Sequence, residues 1–215
     1  MTNPTNVLIN FVLDKSGSMS SLANATIEGF NSFVAEQSQG EGIVLLSLTL
    51  FDTTFDVRFV AHELDAVPAL GSNQNRYSPN GGTALYDAVA TTIKGTEAWL
   101  SHHRDFTGDV VTVIMTDGEE NSSKTTTLGQ VNELITQKTS QGWEFIFLGS
   151  GKAAWTEGTK FTSIPHSARF AGAGSAASTK DNYTTAARAM TRKRRTGERY
   201  DQSLRGEGME DANRS

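Results

Sequence analysis

The chain has 215 residues, of which 37% are hydrophobic and 20% charged, and it contains no cysteine. The length and composition are typical of one soluble domain that is large enough to fold without disulfide bonds or a structural metal. The absence of cysteine excludes disulfide frameworks, thiolate metal sites and cysteine nucleophiles. The formal net charge of -5 combines an acidic body with one basic segment near the C-terminus. The N-terminal apolar run over residues 7–13 is too short for a membrane helix and lacks the basic flank of a signal peptide, so we expect a cytoplasmic protein without membrane attachment.

Five apolar runs have the length of β-strands. Four of them are rich in Val, Ile, Leu and Phe and do not alternate, which is typical of strands buried on both faces of a parallel sheet. These four cover residues 7–13, 43–50, 110–115 and 145–148. In the fifth, over residues 54–60, apolar and polar residues alternate, which predicts a half-exposed edge strand joined to its predecessor by a turn at Asp52 and Thr53.

Between the strands, apolar residues recur at helical spacing and predict helices over residues 21–38, 83–101 and 126–139. A short helix over 153–161, a short strand near 168–171 and a last helix over 179–195 are expected to follow. This alternation predicts an α/β fold with a doubly wound, mostly parallel sheet, one antiparallel edge strand and helices on both faces. We assign residues 1–197 to this domain and residues 198–215 to a disordered tail.

Three segments carry side-chain oxygen atoms at the ends of predicted strands or the starts of helices. The carboxyl ends of parallel strands are where α/β sheets bind ligands, so these segments can meet at one edge of the sheet. Oxygen ligands without His or Cys favour a hard cation, with Mg²⁺ as our first expectation and Mn²⁺ or Ca²⁺ as alternatives. The candidate ligands are Asp14, Ser16 and Ser18 after the first strand, Thr83 at a helix start, and Asp117 after the strand over 110–115.

This set of ligands predicts binding rather than catalysis. Three hydroxyls and two carboxylates leave a Mg²⁺ ion incompletely coordinated, so that a carboxylate of another molecule can complete its coordination. Without the ion, Asp14 and Asp117, with Glu119 and Glu120 near them, would repel that carboxylate. A bound ion would therefore make a repulsive surface attractive to an acidic partner.

Taken together, the three motifs resemble the metal-ion-dependent adhesion site of the von Willebrand factor type A domain. They are Asp-x-Ser-x-Ser after a buried strand, Gly-Gly-Thr-x-Leu-x-Asp-Ala, and Thr-Asp-Gly after a later strand. The resemblance extends over about residues 6–197 and implies the same five ligands. It also implies a Rossmann-like fold and a protein partner that donates a carboxylate to the metal.

The subgroup that the chain resembles bears on its partner. The part after Leu148 is similar to the stand-alone bacterial and phage members of the family rather than to the animal adhesion modules. Intracellular members often work beside AAA+ ATPases, in metal-chelating complexes or in stress-response systems. The resemblance therefore suggests an AAA+ ATPase or a stress-response complex among the possible partners, and the sequence favours none of these contexts over the others.

Two other functions stay open at this point. The basic segment can form a helical stripe that neutralises nucleic-acid phosphates or docks an acidic partner, although a solvated helix end, with cations at the negative pole of the dipole, is the simpler interpretation. The stripe would comprise Arg188, Arg192, Lys193, Arg194, Arg195 and Arg199. A metal-dependent phosphoester hydrolase of the haloacid-dehalogenase type would need an acid two residues after Asp14, and that position holds Ser16.

Several further polar residues are assigned to structure rather than to function. Asp87 lies one helical turn after Thr83 and could form a hydrogen bond within the site, but we assign it to the exposed helix surface. Asp52 is assigned to the turn of the edge hairpin. The four histidines are scattered, except for an adjacent pair that is assigned to a helix end; they are His62, His102, His103 and His166.

Overall fold

The computed structural model describes residues 6–165 and 168–199. Its strands are β1 (Val7–Asp14), β2 (Val44–Phe51), β3 (Phe55–Glu63), β4 (Asp109–Thr116), β5 (Glu144–Ser150) and β6 (Arg169–Gly172). Its helices are α1 (Ala23–Gln37), α2 (Leu85–His102), α3 (Leu128–Ser140), α4 (Gly151–Lys160) and α5 (Ala176–Thr196). Every strand and helix expected within this part of the chain is present. Residues 200–215 of the predicted tail, and His166, lie outside the described residues.

The six strands form one sheet in the order β3-β2-β1-β4-β5-β6. Neighbouring strands are parallel except for the β2–β3 pair, which is antiparallel and places β3 at one edge. The chain builds outward from β1 in one direction through β2 and β3, and then restarts beside β1 with β4. The strand order therefore reverses between β1 and β4, which is where sheets of this kind open a crevice for ligands. The predicted fold class is confirmed.

Both faces of the sheet are covered, which explains why β1 and β2 are buried along their whole length. On one face, α1 and α5 pack on the sheet around three fully buried aromatic rings, Phe11, Phe30 and Phe33. On the other face, α2, α3 and the segment after α4 pack on residues such as Val12 and Ile114. No helix among residues 6–165 and 168–199 has the length and apolarity needed to cross a membrane.

Candidate metal-binding site

The five candidate ligands lie at the carboxyl edge of the sheet, where the strand order reverses. Asp14 is the last residue of β1, and Ser16 and Ser18 follow in the loop that leads through a 3-10 turn into α1. Asp117 directly follows the last residue of β4, Thr116. Thr83 comes two residues before the start of α2, and the topology therefore brings three separate chain segments to one place.

Hydrogen bonds link four of the five candidate ligands. The Oγ atoms of Ser16 and Ser18 lie 3.1 Å apart, and the Ser18 hydroxyl donates to Oδ1 of Asp117 at 2.6 Å. The two oxygens of the Asp14 carboxylate accept from the Ser16 backbone N–H at 2.6 Å and from the Thr116 hydroxyl at 2.5 Å. The carboxylate of Asp14 is thereby fixed in direction from both sides.

Thr83, the fifth candidate, faces the same small space across the backbone of Gly118. A Cβ atom added at Gly118 would lie 3.7 Å from Ser18 Oγ and 3.7 Å from Thr83 Oγ1, so both hydroxyls border the space beside this glycine. Thr83 is held there by Asn121, whose Oδ1 accepts from the Thr83 N–H at 2.8 Å and whose N–H donates to the Thr83 carbonyl at 3.0 Å. A glycine at 118 therefore keeps the space between the ligands open.

Burial makes the two carboxylates costly to ionise without a cation. Asp14 is fully buried, and burial raises its pKa from 3.8 to about 6 even though the Thr116 and Ser16 hydrogen bonds oppose the shift. Burial raises the pKa of Asp117 as well, against the hydrogen bond from Ser18. Within residues 6–165 and 168–199, no ion pair with a lysine or arginine is found at either carboxylate, and burial and hydrogen bonds are the main influences on their pKa values. Two desolvated carboxylates without a basic partner are suited to a bound cation.

The residues present fit a hard divalent cation. The set consists of two carboxylates and three hydroxyls, which are the ligand types that Mg²⁺, Mn²⁺ and Ca²⁺ prefer. Residues 6–165 and 168–199 contain no cluster of three or more imidazoles and carboxylates that could hold a metal. The hydroxyl-rich set at the β1 and β4 ends is therefore the metal site that we consider.

Replacing Gly118 with alanine is expected to weaken metal binding without unfolding the protein. The added methyl group would enter the space between Ser18 and Thr83, while its 3.7 Å contacts are ordinary van der Waals distances. We expect the Mn²⁺ dissociation constant, measured by calorimetry, to rise on the order of tenfold. Gly95→Ala is the control, because a Cβ atom at that position in α2 meets nothing within 4 Å. Equal Mn²⁺ affinity of the Gly118 variant would contradict the proposed location of the ion.

Backbone contacts join the first two loops of the site. The Gly17 N–H donates to the Gly81 carbonyl at 3.0 Å, and the Asn80 N–H donates to the Lys15 carbonyl at 2.8 Å. The buried Tyr77 hydroxyl donates to the Asp14 carbonyl at 2.5 Å. The sequence analysis did not identify Tyr77. It is the single aromatic residue in the polar segment over 71–82, and this isolated position could have indicated a structural role.

Asp87 does not lie on an exposed helix surface, and this assignment was wrong. Its side chain is buried, and its carboxylate accepts from the backbone N–H groups of Lys124, Thr125 and Thr126 at 2.7, 3.1 and 2.7 Å. These hydrogen bonds, together with those to the hydroxyls of Thr125 and Thr126, hold the pKa of Asp87 below its usual value despite burial. Asp87 thus fastens the segment after Asp117 to the start of α2.

Glu120 also fastens this segment. Its carboxylate accepts from the N–H groups of Ser122 and Ser123, both at 2.7 Å, and from the Tyr86 N–H at 3.0 Å. Behind it, the fully buried Glu157 accepts from the Tyr86 hydroxyl at 2.7 Å. The loop that carries Asp117 is therefore fixed on its inner side by carboxylates that the sequence did not assign to it.

The remaining structural assignments agree with the contacts. Asp52 lies in the β2–β3 turn, and its Oδ1 accepts from the Thr54 N–H at 2.9 Å. His102 and His103 end α2, with their Nδ1 atoms 2.7 and 2.8 Å from carbonyl oxygens of the preceding turn. His62 stacks against Phe59.

The basic stripe predicted on the last helix is not one surface. Lys193 and Arg194 are buried: Lys193 forms ion pairs of 2.6 Å with both Asp109 and Glu144, and Arg194 donates to the Gln37 carbonyl at 2.8 Å. Arg192 is half-buried beside Glu198, and the exposed members of the predicted set are Arg188, Arg195 and Arg199. The prediction was wrong for Lys193 and Arg194, because the buried side of α5 extends through them.

A family model described as the von Willebrand factor type A domain matches residues 9–185, whereas a comparison with curated proteins gives no match. Three solved structures illustrate the similarity of fold. The vWF domain of the type V pili tip protein Mfa5 from Porphyromonas gingivalis has 12% identity and a TM-score of 0.63, over 92% of this chain and 99% of that one. Manganese-loaded TRAP protein from Plasmodium vivax has 15% identity and a TM-score of 0.57, over 80% and 70% of the two chains.

The third is proximal thread matrix protein 1 from the mussel byssus, in a structure described with a zinc-occupied MIDAS motif. It has 16% identity and a TM-score of 0.58, over 86% of this chain and 46% of the mussel chain. This chain thus spans about half the length of the mussel protein structures that it matches. Since the family model covers most of the sequence, the chain belongs to the von Willebrand factor type A domain family.

Proposed function

We propose that this protein is a metal-dependent protein-binding module that recruits or assembles a partner by capturing one of its acidic side chains. The observation that carries the proposal is the convergence of hydroxyl and carboxylate oxygens from three loops on the space beside Gly118. The residues that would hold the cation are Asp14, Ser16, Ser18, Thr83 and Asp117.

The carboxylates and the hydroxyls of the site have different roles in binding the cation. Asp14 and Asp117 supply two negative charges and the three hydroxyls supply neutral oxygens, so that the set offsets the charge of a divalent cation but does not fill its about six coordination positions. A bound divalent cation supplies the positive charge that attracts a carboxylate of the partner. The buried hydrogen bonds from Thr116 and Ser16 hold Asp14 in place while the partner binds.

Similar proteins support metal use and adhesion as the class of function. The TRAP structure is described as manganese-loaded and the mussel protein as having a zinc-occupied MIDAS motif. Another similar structure is a pilus adhesin, SpaC from Lactobacillus rhamnosus GG, with 13% identity and a TM-score of 0.64. Mg²⁺ as the metal, a cytoplasmic location and an AAA+ ATPase or stress-response complex as the partner are our proposals for this chain.

The two alternative functions gain no support from the contacts. Lys193 and Arg194 are buried, so they are not available to contact nucleic-acid phosphates as part of the basic stripe. For phosphoester hydrolysis, the position two residues after Asp14 holds the Ser16 hydroxyl, which lies 3.1 Å from Ser18 Oγ. Binding through the metal site is therefore the function that we propose, without a catalytic step.

The proposal is tested by capture of proteins from native lysate on the immobilised full chain, in Mg²⁺ and in EDTA. We expect a captured protein that is lost in EDTA and lost with Thr83→Ala, and a Mn²⁺ titration of the same variant that shows weakened binding. Thr91→Ala, a half-exposed position on α2, is the matched control and should retain capture. Capture that survives both EDTA and Thr83→Ala would refute the proposal.

A further inference from the structure

Lys15 lies between two candidate metal ligands, and its positive charge is held away from them. Its neighbours in the chain are Asp14 and Ser16, but its ammonium group forms an ion pair with Asp52 in the β2–β3 turn. Both side chains of this pair are mostly buried, with exposed fractions of 16% for Lys15 and 18% for Asp52. The pair therefore belongs to the packed support of the site rather than to the mobile surface, where ion pairs contribute little.

The carboxylate that receives Lys15 sits on a rigid turn. Oδ1 of Asp52 accepts from the Thr54 N–H at 2.9 Å and from the Thr54 hydroxyl at 3.2 Å, and the Asp52 N–H donates to the Thr54 carbonyl at 2.8 Å. These contacts, with the ammonium of Lys15, hold the pKa of Asp52 below its usual value. Asp52 is therefore a fixed, ionised acceptor for the lysine at neutral pH.

The same turn supports the loop that carries Thr83. The Asp52 carbonyl accepts from the Ala84 N–H at 2.6 Å, and the Thr53 hydroxyl accepts from the Gly82 N–H at 2.8 Å. Gly81 has a positive φ of 73°, and a Cβ atom there would lie 2.6 Å from Thr53 Oγ1, so the approach of turn and loop requires a glycine. The turn thus contacts both the first and the second loop of the site.

A lysine released from this turn would compete with a metal ion for the carboxylates of the site. It is attached next to Asp14, and an ammonium on a flexible stem near two desolvated carboxylates would be attracted to them and would repel a divalent cation. The other carboxylates near the site are engaged: Glu119 lies 3.5 Å from Lys160, and Glu120 accepts from backbone N–H groups. Asp52 is the carboxylate that takes up the charge of Lys15.

We propose that Asp52 is a positioning residue of the metal site: it holds the Lys15 ammonium in the β2–β3 turn and so leaves the carboxylates of Asp14 and Asp117 to a divalent cation. This inference rests on the proposed function. It assigns a role at the site to a turn residue that is not itself a ligand.

The test is a set of Mn²⁺ titrations of the full-length protein by calorimetry at low and high salt. We expect Asp52→Asn to raise the Mn²⁺ dissociation constant on the order of tenfold at low salt, and the loss to shrink at high salt because the repulsion is screened. Removing the lysine as well, in Asp52→Asn/Lys15→Met, should restore the affinity to within about twofold of the unmodified chain. Asp56→Asn is the matched control, since it breaks a 3.0 Å ion pair with Arg58 just beyond the same turn.

Each other result would overturn the inference. Unchanged Mn²⁺ affinity in Asp52→Asn would show that the lysine does not need to be held. A double variant as weak as Asp52→Asn would show that the shape of the turn, and not the charge of Lys15, matters. If Asp52→Asn fails to fold, Lys15→Met alone decides, because a loss of affinity there would mean that the ion pair itself builds the site. An unmodified chain that binds no Mn²⁺ would instead refute the proposed function, and this inference with it.

Discussion

Asp14→Asn is expected to abolish divalent-cation binding and, at the same time, to make the metal-free protein more stable. Asparagine has nearly the shape of aspartate, and its carbonyl oxygen can still accept from the Ser16 N–H, while its amide can donate to Thr116 Oγ1. The change therefore removes a charge and leaves the packing in place. If Asp14 only supported the fold, its replacement would lower the free energy of unfolding. An increase in that free energy, together with loss of cation binding, is expected for a metal ligand.

The size of the stability gain follows from the burial of Asp14. Its pKa of about 6 in the folded chain, against 3.8 for an exposed carboxyl, means that the ionised side chain lowers the free energy of unfolding by about 3 kcal/mol at pH 7.5. Well below pH 3.8 the carboxyl is protonated in both states and this cost is absent. It grows as the pH rises from about 4 to about 6 and is constant above, because the folded state binds more protons in that window.

Denaturant unfolding in EDTA checks the prediction at pH 7.5 and again near pH 4. We expect Asp14→Asn to be more stable than the unmodified chain at pH 7.5 and nearly equal to it near pH 4, and to show no Mn²⁺ binding by calorimetry. Asp56→Asn, which removes a half-exposed carboxylate at the start of β3, should change neither quantity much. Mn²⁺ affinity that survives in Asp14→Asn would exclude Asp14 as a ligand.

The sheet was predictable from the sequence for a physical reason. Strands that are buried on both faces must be apolar along their whole length, and β1 and β2 are. The single polar interruption in the first run, Asn10, is buried as well, and its amide is satisfied by Thr96 and Thr112 on a helix and a neighbouring strand. The convergence of the three motifs at one edge of the sheet was predictable because each motif stands at the end of a strand or the start of a helix.

The parts that the sequence did not predict depend on contacts between distant residues. Asp87 lies in the first turn of α2, and only the return of the segment over 122–126 gives it its partners. Asp52 stands in an ordinary turn, and its contact with Lys15 joins residues that are 37 positions apart. No local pattern predicts such pairings, because turn formation and helix periodicity are satisfied equally well without them.

The basic end of α5 is a different case, since a signal was available. The buried side of the helix runs through Tyr183, Ala186 and Met190, and Lys193 and Arg194 continue it at the next helical positions, three and four residues after Met190. Charged residues were assigned to solvent because they are rarely buried without partners. In this protein the partners exist, at the first residues of β4 and β5 and at the end of α1.

Arg194→Met is therefore expected to destabilise the protein strongly, by about 2–4 kcal/mol. The guanidinium donates to the backbone carbonyls of Gln37 at 2.8 Å and of Glu41 at 2.5 Å, and a Cβ atom at Gly40 would lie 2.9 Å from its Nη1 atom. It thus satisfies the carbonyl of the last residue of α1, which has no helical partner, and a carbonyl of the segment that follows the helix. Methionine keeps the apolar stem and leaves the buried Gln37 carbonyl without the donor that Arg194 provides.

Arg188→Met is the matched control, because Arg188 lies on the exposed side of the same helix, and its free energy of unfolding should change by less than about 0.5 kcal/mol. Equal stability of the two variants in denaturant unfolding would contradict the structural role of Arg194.

The comparison also decides how nucleic-acid binding can be tested. A variant that neutralises Lys193 or Arg194 would lose binding through loss of the fold. Only substitutions on the exposed side, such as Arg188→Met, can separate a lost phosphate contact from a lost helix, because a phosphate contact lowers affinity in a salt-dependent way while the fold remains intact.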